Sequence, residues 1–259
     1  MAYSIKDQVV FITGASAGIG NAIAHQFGAA GCKLILTARR LDRLEKLAHE
    51  LKSTYGTETH VTKMDVSKID SIIDVVYRLP EAFQKIDILV NNAGLALGVN
   101  KAQDNLIDDI NTVVDVNIKG ILYLTQAIVP GMVTRRRGHV INISSIAGHE
   151  AYPGGSVYCG TKHAVDAITK STRMDVVDTP LRVTAISPGL VETEFSVVRF
   201  KGDAQRAAQV YQGYEPLSAG DIADAVLYVA TRPPHVQVAD MIILPTAQAS
   251  ATVVHKQSD

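Results

Sequence analysis

Val9-Val10-Phe11-Ile12-Thr13-Gly14-Ala15-Ser16-Ala17-Gly18-Ile19-Gly20 sets the pattern on which the rest of the chain is built. An apolar run ends in Thr13, three glycines follow, and a helical pattern takes over from Asn21 to Ala29. A run that is apolar at successive positions, instead of at alternate ones, reads as a strand buried on both faces. Glycines directly after such a strand permit a tight turn and let the backbone approach a pyrophosphate, which the N-terminus of the next helix stabilises. Packing alone would account for one or two of them. Three in the first strand-to-helix turn, Gly14, Gly18 and Gly20, favour a dinucleotide site, with Ser16 and Ile19 among its contacts.

The same unit recurs along the chain. Apolar runs at 9–13, 33–37, 60–64, 86–90, 139–144, 182–186 and 241–244 alternate with helical patterns near 18–30, 40–53, 68–84, 104–134, 156–178 and 219–231. That alternation implies right-handed βαβ units and a doubly wound, seven-stranded parallel sheet with helices on both faces. No repeat, linker or low-complexity break divides residues 1–259, so one catalytic domain is expected. Residues 190–217 are too long and irregular for a connector and read as a substrate loop, and 245–259 as a C-terminal arm.

The second strand selects the dinucleotide. NAD sites carry an Asp or Glu about 20 residues after the glycines, to accept from the ribose 2′-hydroxyl. This chain has Thr37-Ala38-Arg39-Arg40 there, with no acid before Asp42. Guanidiniums at Arg39 and Arg40 match a 2′-phosphate, so NADP is the expected cofactor. The plainer account is that both arginines begin the next helix and face solvent.

Composition narrows the classes of partner. With 47% apolar residues, 20% charged residues and a net charge of -1, the chain has no polyanion-binding character. Its one basic cluster, Arg135-Arg136-Arg137, falls where a long helix should end, and cations suit that end of the helix dipole. Nucleic acid is not an expected partner. Cys32 and Cys159 make neither a disulfide framework nor a metal-ligand spacing, so no metal is expected. Cys159 reads as a packing residue. No signal-peptide core and no run approaching about 18 apolar residues is present, and the expectation is a cytoplasmic protein acting on a small molecule.

The chemistry is expected in Ser145-Ile146-Ala147-Gly148-His149-Glu150-Ala151-Tyr152-Pro153-Gly154-Gly155-Ser156-Val157-Tyr158-Cys159-Gly160-Thr161-Lys162. Tyr158 and Lys162 are four apart and share a helix face, where an ammonium beside a phenol favours the phenolate. Tyr158 is thereby an acid/base candidate, and Ser145 a hydroxyl donor to a reacting oxygen. Taken alone, a Tyr and a Lys at this spacing are more often neighbours on a solvated face.

Together these pieces resemble the short-chain dehydrogenase/reductase family across essentially the whole chain. The pieces are Thr13-Gly14-x-x-x-Gly18-x-Gly20, Asp65-Val66, Asn91-Asn92-Ala93-Gly94, Asn117, Ser145, Tyr158-x-x-x-Lys162 and Pro188-Gly189-Leu190-Val191-Glu192-Thr193, in that order. The resemblance implies a Rossmann-type fold in which Asp65 and Val66 border the adenine, and Asn92, Ala93 and Gly94 the ribose. Val191 and Thr193 would border the carboxamide of the nicotinamide, with Pro188, Gly189, Tyr158 and Lys162 also touching the cofactor. It further implies a catalytic tetrad of Asn117, Ser145, Tyr158 and Lys162, in which Asn117 positions a water and Lys162 holds the ribose and lowers the Tyr158 pKa. Many members are homotetramers that pair the helices near 104–134 and 156–178.

The stretches 91–98, 188–202 and 244–250 are similar to the NADP-dependent 3-hydroxy acid dehydrogenase branch, which includes serine and L-allo-threonine dehydrogenases. The resemblance implies hydride transfer between NADP(H) and the secondary alcohol or carbonyl of a small 3-hydroxy acid. A carboxylate two carbons from the reacting centre calls for a cation, and Arg199 is the first candidate, Lys201 the second. Tyr152, His149 and Glu150 would form the pocket wall, Tyr152 touching substrate and Glu150 open to a substrate ammonium. A broad NADPH-dependent carbonyl reductase and a non-catalytic NADP sensor are the competing readings.

Overall fold

The computed structural model describes residues 3–257. The opening run forms β1 (Val9–Thr13), buried at every position because both faces are covered. Val10 and Ile12 enter one core with Ile23 and Phe27 of α1 (Gly18–Ala29) and with Leu34 and Leu36 of β2 (Lys33–Ala38). Val9 and Phe11 enter the other, on the opposite face. α2 (Leu41–Tyr55) ends at Gly56, whose φ of 69° closes it in the left-handed conformation. β3 (Thr59–Lys63), α3 (Ile69–Tyr77) and β4 (Ile86–Asn91) follow.

Next come α4 (Ile107–Val114), α5 (Gly120–Arg135), β5 (His139–Ile143), α6 (Ser156–Asp175), β6 (Arg182–Pro188), α7 (Glu194–Arg199), α8 (Ala204–Gln209), α9 (Ala219–Ala230) and β7 (Asp240–Ile243). All seven strands are parallel in the order β3-β2-β1-β4-β5-β6-β7. Connections leave β1 toward β2 on one side and β4 toward β5 on the other, and the crevice at that reversal is where such sheets bind ligands.

Three departures from expectation have local causes. The helix expected over 104–134 begins at Ile107 and is interrupted by a π-helical segment, Asp115–Lys119, between α4 and α5. The stretch Ile107–Arg135 is long and apolar enough to cross a membrane; here it packs against α3, α6 and β4, with Val113, Leu124, Ile128 and Met132 in the core. The irregular 190–217 segment contains two six-residue helices, α7 and α8, begun by side-chain caps at Thr193 and Asp203.

Candidate active site

α1 starts from an extended Ala17 with no side-chain cap and no acid in its first turn, leaving its backbone N–H groups available to an anion. Gly14 and Gly18 have φ of 67° and 54°. A Cβ on Gly20 would lie 2.5 Å from both Asn92 Nδ2 and Gly14 O. Asn92 itself donates to Thr13 O at 2.9 Å, tying the β4 turn to the glycine turn. These features form a cradle that side chains would fill, which fits a pyrophosphate. Just after β2, Arg40 donates from Nε and Nη2 to Ser16 Oγ at 3.3 and 3.2 Å, which holds a guanidinium beside the glycine turn.

The cradle opens into one cavity of about 490 Å³ that runs along the carboxyl ends of the strands. The expected cofactor and catalytic residues line it except two, and so do Tyr152 and Arg199. Gly20 lies behind the turn. Asn117 is buried under the floor, where its Nδ2 donates to Leu95 O at 2.8 Å and its Oδ1 accepts from Leu95 N at 2.9 Å. Nδ2 also donates to Thr161 Oγ1 at 3.1 Å, so the amide clamps the Leu95 turn to α6 from within the π-helical segment. π-Bulges cluster at functional sites. Asp65 borders the cavity, but its Oδ1 is taken by Ser67 N and Oγ at 3.0 and 2.8 Å, the local turn that an Asp favours.

At the other end, Tyr158 and Lys162 sit one turn apart on α6, both facing the cavity. Burial pushes the Tyr158 phenol above the usual tyrosine range, opposed by the Ser145 hydroxyl and by Arg199. Burial also pulls the Lys162 ammonium down to about 8, against Asp166, which favours its charge. The expected lowering of the Tyr158 pKa by Lys162 is therefore not what governs this cavity. Lys162 Nζ stands 5.8 Å from the Tyr158 ring centroid and donates to Ile143 O at 2.8 Å, and removal from water outweighs a cation at that distance. Ser145, capping the short helical turn after β5, accepts from Ala147 N at 3.1 Å.

The substrate end is organised by α7. Arg199 donates from Nη2 to Tyr152 Oη, and its guanidinium lies 5.3 Å from the Tyr158 ring and 5.5 Å from the Tyr152 ring. Its Nε is buried with no hydrogen-bond partner among the described residues, and it makes no ion pair there. Lys201, the second candidate, is occupied by Asp109 of α4 at 2.7 Å. Two expected wall residues turn away. His149 Nε2 lies 3.0 Å from Ser187 Oγ and 3.5 Å from each of Asp166 and Asp240. Glu150 accepts from Ala251 N at 2.7 Å and so fastens the C-terminal arm instead of meeting an ammonium.

Several lining residues had escaped the sequence reading. Phe195 packs on Tyr158 with ring centroids 5.6 Å apart, and Gln248 accepts from Leu190 N at 2.8 Å to hold the arm against the cavity. Glu194 bridges Arg40 and Arg43. No spacing rule marks such residues, because each acts across the cleft from a distant part of the chain.

A parallel sheet with a glycine cradle at its reversal, joined to a buried Ser/Tyr/Lys group, defines a dinucleotide-dependent oxidoreductase. The chain belongs to the short chain dehydrogenase family, whose model matches residues 8–203. It is 45% identical over 254 residues, 98% of each chain, to the NADP-dependent 3-hydroxy acid dehydrogenase of Schizosaccharomyces pombe. It is 42% identical to the sulfoacetaldehyde reductase of Chromohalobacter salexigens, over 93% of this chain and 94% of that one. Among solved structures, the closed form of serine dehydrogenase complexed with NADP+ superposes with a TM-score of 0.91 at 43% identity, covering 96% of this chain and all of that one.

Proposed function

We propose that the chain is an NADP-dependent dehydrogenase of small 3-hydroxy acids such as serine, allo-threonine or 3-hydroxybutyrate. The observation that carries the substrate class is Arg199, a guanidinium without a counter-ion among the described residues, half enclosed beside the proton-transferring tyrosine. Its Nε lacks a hydrogen-bond partner among the described residues, and a carboxylate two carbons from the reacting carbon would pair with the guanidinium in bidentate fashion. Ser16, Arg39, Arg40 and the α1 N-terminus would hold the phosphates of NADP, which supplies the site with a hydride acceptor or donor.

The chain's own groups then handle the proton and the oxygen. Tyr158 Oη takes the alcohol proton during oxidation and returns it during reduction. Its raised pKa keeps it protonated at neutral pH, the form needed to donate, and oxidation draws on the small phenolate fraction, which grows with pH. Ser145 Oγ donates to the substrate oxygen and stabilises charge that develops there, a role worth roughly 3 kcal/mol for comparable donors. Lys162, with its folded pKa near 8, is charged at neutral pH and would bind the nicotinamide ribose. Asn117 keeps the Leu95 turn and α6 in register. Residues 190–217 serve as the substrate loop, with the arm after residue 245 folded on it: Gln257 donates to Gly213 O at 2.7 Å. A reducing cytoplasm suits the free, buried Cys32 and Cys159, and a homotetramer would cover the exposed Leu106 and Ile107 at the start of α4 and Met174 and Val177 at the end of α6.

Initial rates at 340 nm with NADP+ test the assignment. Serine and 3-hydroxybutyrate are expected to turn over, and Arg199→Ala to raise their KM at least tenfold while leaving that of a neutral secondary alcohol within twofold. Equal loss on both kinds of substrate would refute carboxylate binding by Arg199. Because a guanidinium also pairs with sulfonate, sulfoacetaldehyde belongs in the reductive panel.

A further inference from the structure

One carboxylate of this chain already occupies the phosphate-reading arginines. Glu194, the first residue of α7, places Oε2 2.9 Å from Arg40 Nη1 and Oε1 2.7 Å from Arg43 Nη1. Arg40 keeps its two bonds to Ser16 Oγ at the same time. The end of β2 is thus an assembled anion site of two guanidiniums and a hydroxyl, and its anion comes from across the cleft. Both arginines hold the Glu194 carboxyl below the usual range, so it is ionised at neutral pH.

We propose that Glu194 tunes the cofactor preference, competing with the 2′-phosphate of NADP for Arg40 and Arg43 and accepting from the ribose 2′-hydroxyl when NAD is bound. The inference rests on the reading of Arg40 as a phosphate-binding residue. NAD sites of this architecture take their acid from the end of the second strand, where this chain has Ala38 and Arg39. Here the acid arrives from α7. A phosphate of charge about -2 and a carboxylate repel each other on the same pair of guanidiniums. The phosphate must therefore either displace Glu194 or bind beside it, and both weaken NADP. A neutral hydroxyl meets no such repulsion. The three side chains stay 43% to 48% exposed, which limits the effect to roughly three- to tenfold.

Calorimetric titration of the full chain with NADP+ and NAD+ reads this without turnover. Glu194→Gln is expected to tighten NADP+ binding by roughly three- to tenfold and to weaken NAD+ binding by about twofold. Unchanged affinities, or weaker NADP+ binding, would overturn the competition. Arg40→Ala separates the two levels of the argument. If it leaves NADP+ affinity intact, the phosphate reading itself is wrong. If it weakens NADP+ while Glu194→Gln fails to tighten it, only the role of Glu194 is wrong.

Discussion

Lys162→Met is expected to stabilise the unliganded fold while abolishing turnover. Lys162 is 6% exposed, and burial moves its ammonium from 10.5 to about 8. A cation whose folded pKa lies below its unfolded one binds fewer protons when folded, so stability rises with pH between the two values. Below about pH 8 the charge costs its full amount, which at 1.36 kcal/mol per unit is roughly 3 kcal/mol, and at pH 9.5 about half of that remains. Methionine keeps the apolar stem but abandons the 2.8 Å bond to Ile143 O, a loss of about 1 kcal/mol. The net expectation is a gain of about 2 kcal/mol at pH 7 that falls to near zero at pH 9.5. Urea unfolding of the cofactor-free wild type and variant at both pH values measures it. A variant less stable than wild type at pH 7, or an advantage that does not shrink with pH, would show that the buried ammonium is not the strained element it is taken for here.

The remaining expectations concern the proton and the cradle. Tyr158→Phe should cut turnover by about 10² to 10⁴ with NADP+ affinity unchanged within twofold; because burial raises the phenol pKa, the small phenolate fraction grows with pH, so wild-type oxidation should speed up from pH 7 to 9 while the proton-donating form that reduction uses stays fully populated. An oxidation rate that does not change from pH 7 to 9 would remove Tyr158 from the proton path. Gly20→Ala should abolish NADP+ binding in a folded protein of lowered Tm, since its Cβ would meet Gly14 O at 2.5 Å, and normal binding would contradict the cradle geometry.

What was legible in the sequence divides along a physical line. β1 read correctly to the residue because burial on both faces leaves an unbroken apolar run, whereas β3, at the sheet edge and only partly buried, was displaced by one residue to Thr59–Lys63. The Tyr158/Lys162 pair and the glycine turn were legible because their members lie close in sequence, one helical turn apart and within a single loop from Gly14 to Gly20, whereas Asn117 and Ser145, farther away in the chain, joined the pair as a tetrad only through the family resemblance. Charge balance across the cleft was not legible. Glu150 on Ala251, Lys201 on Asp109, and Glu194 on Arg40 and Arg43 join segments 92 to 154 residues apart, and a lone Glu or Lys on a loop carries no sign of which partner the fold will bring to it. The environment of Tyr158 failed for the same reason. A Tyr/Lys spacing reports a neighbouring charge, but desolvation depends on how Phe195, Tyr152 and Arg199 close over the ring, and those arrive from other parts of the chain. For Arg199 the guanidinium chemistry was legible, and what the fold adds is that Lys201 is paired with Asp109 while Arg199 has no carboxylate partner among the described residues and lies against Tyr152 and Tyr158.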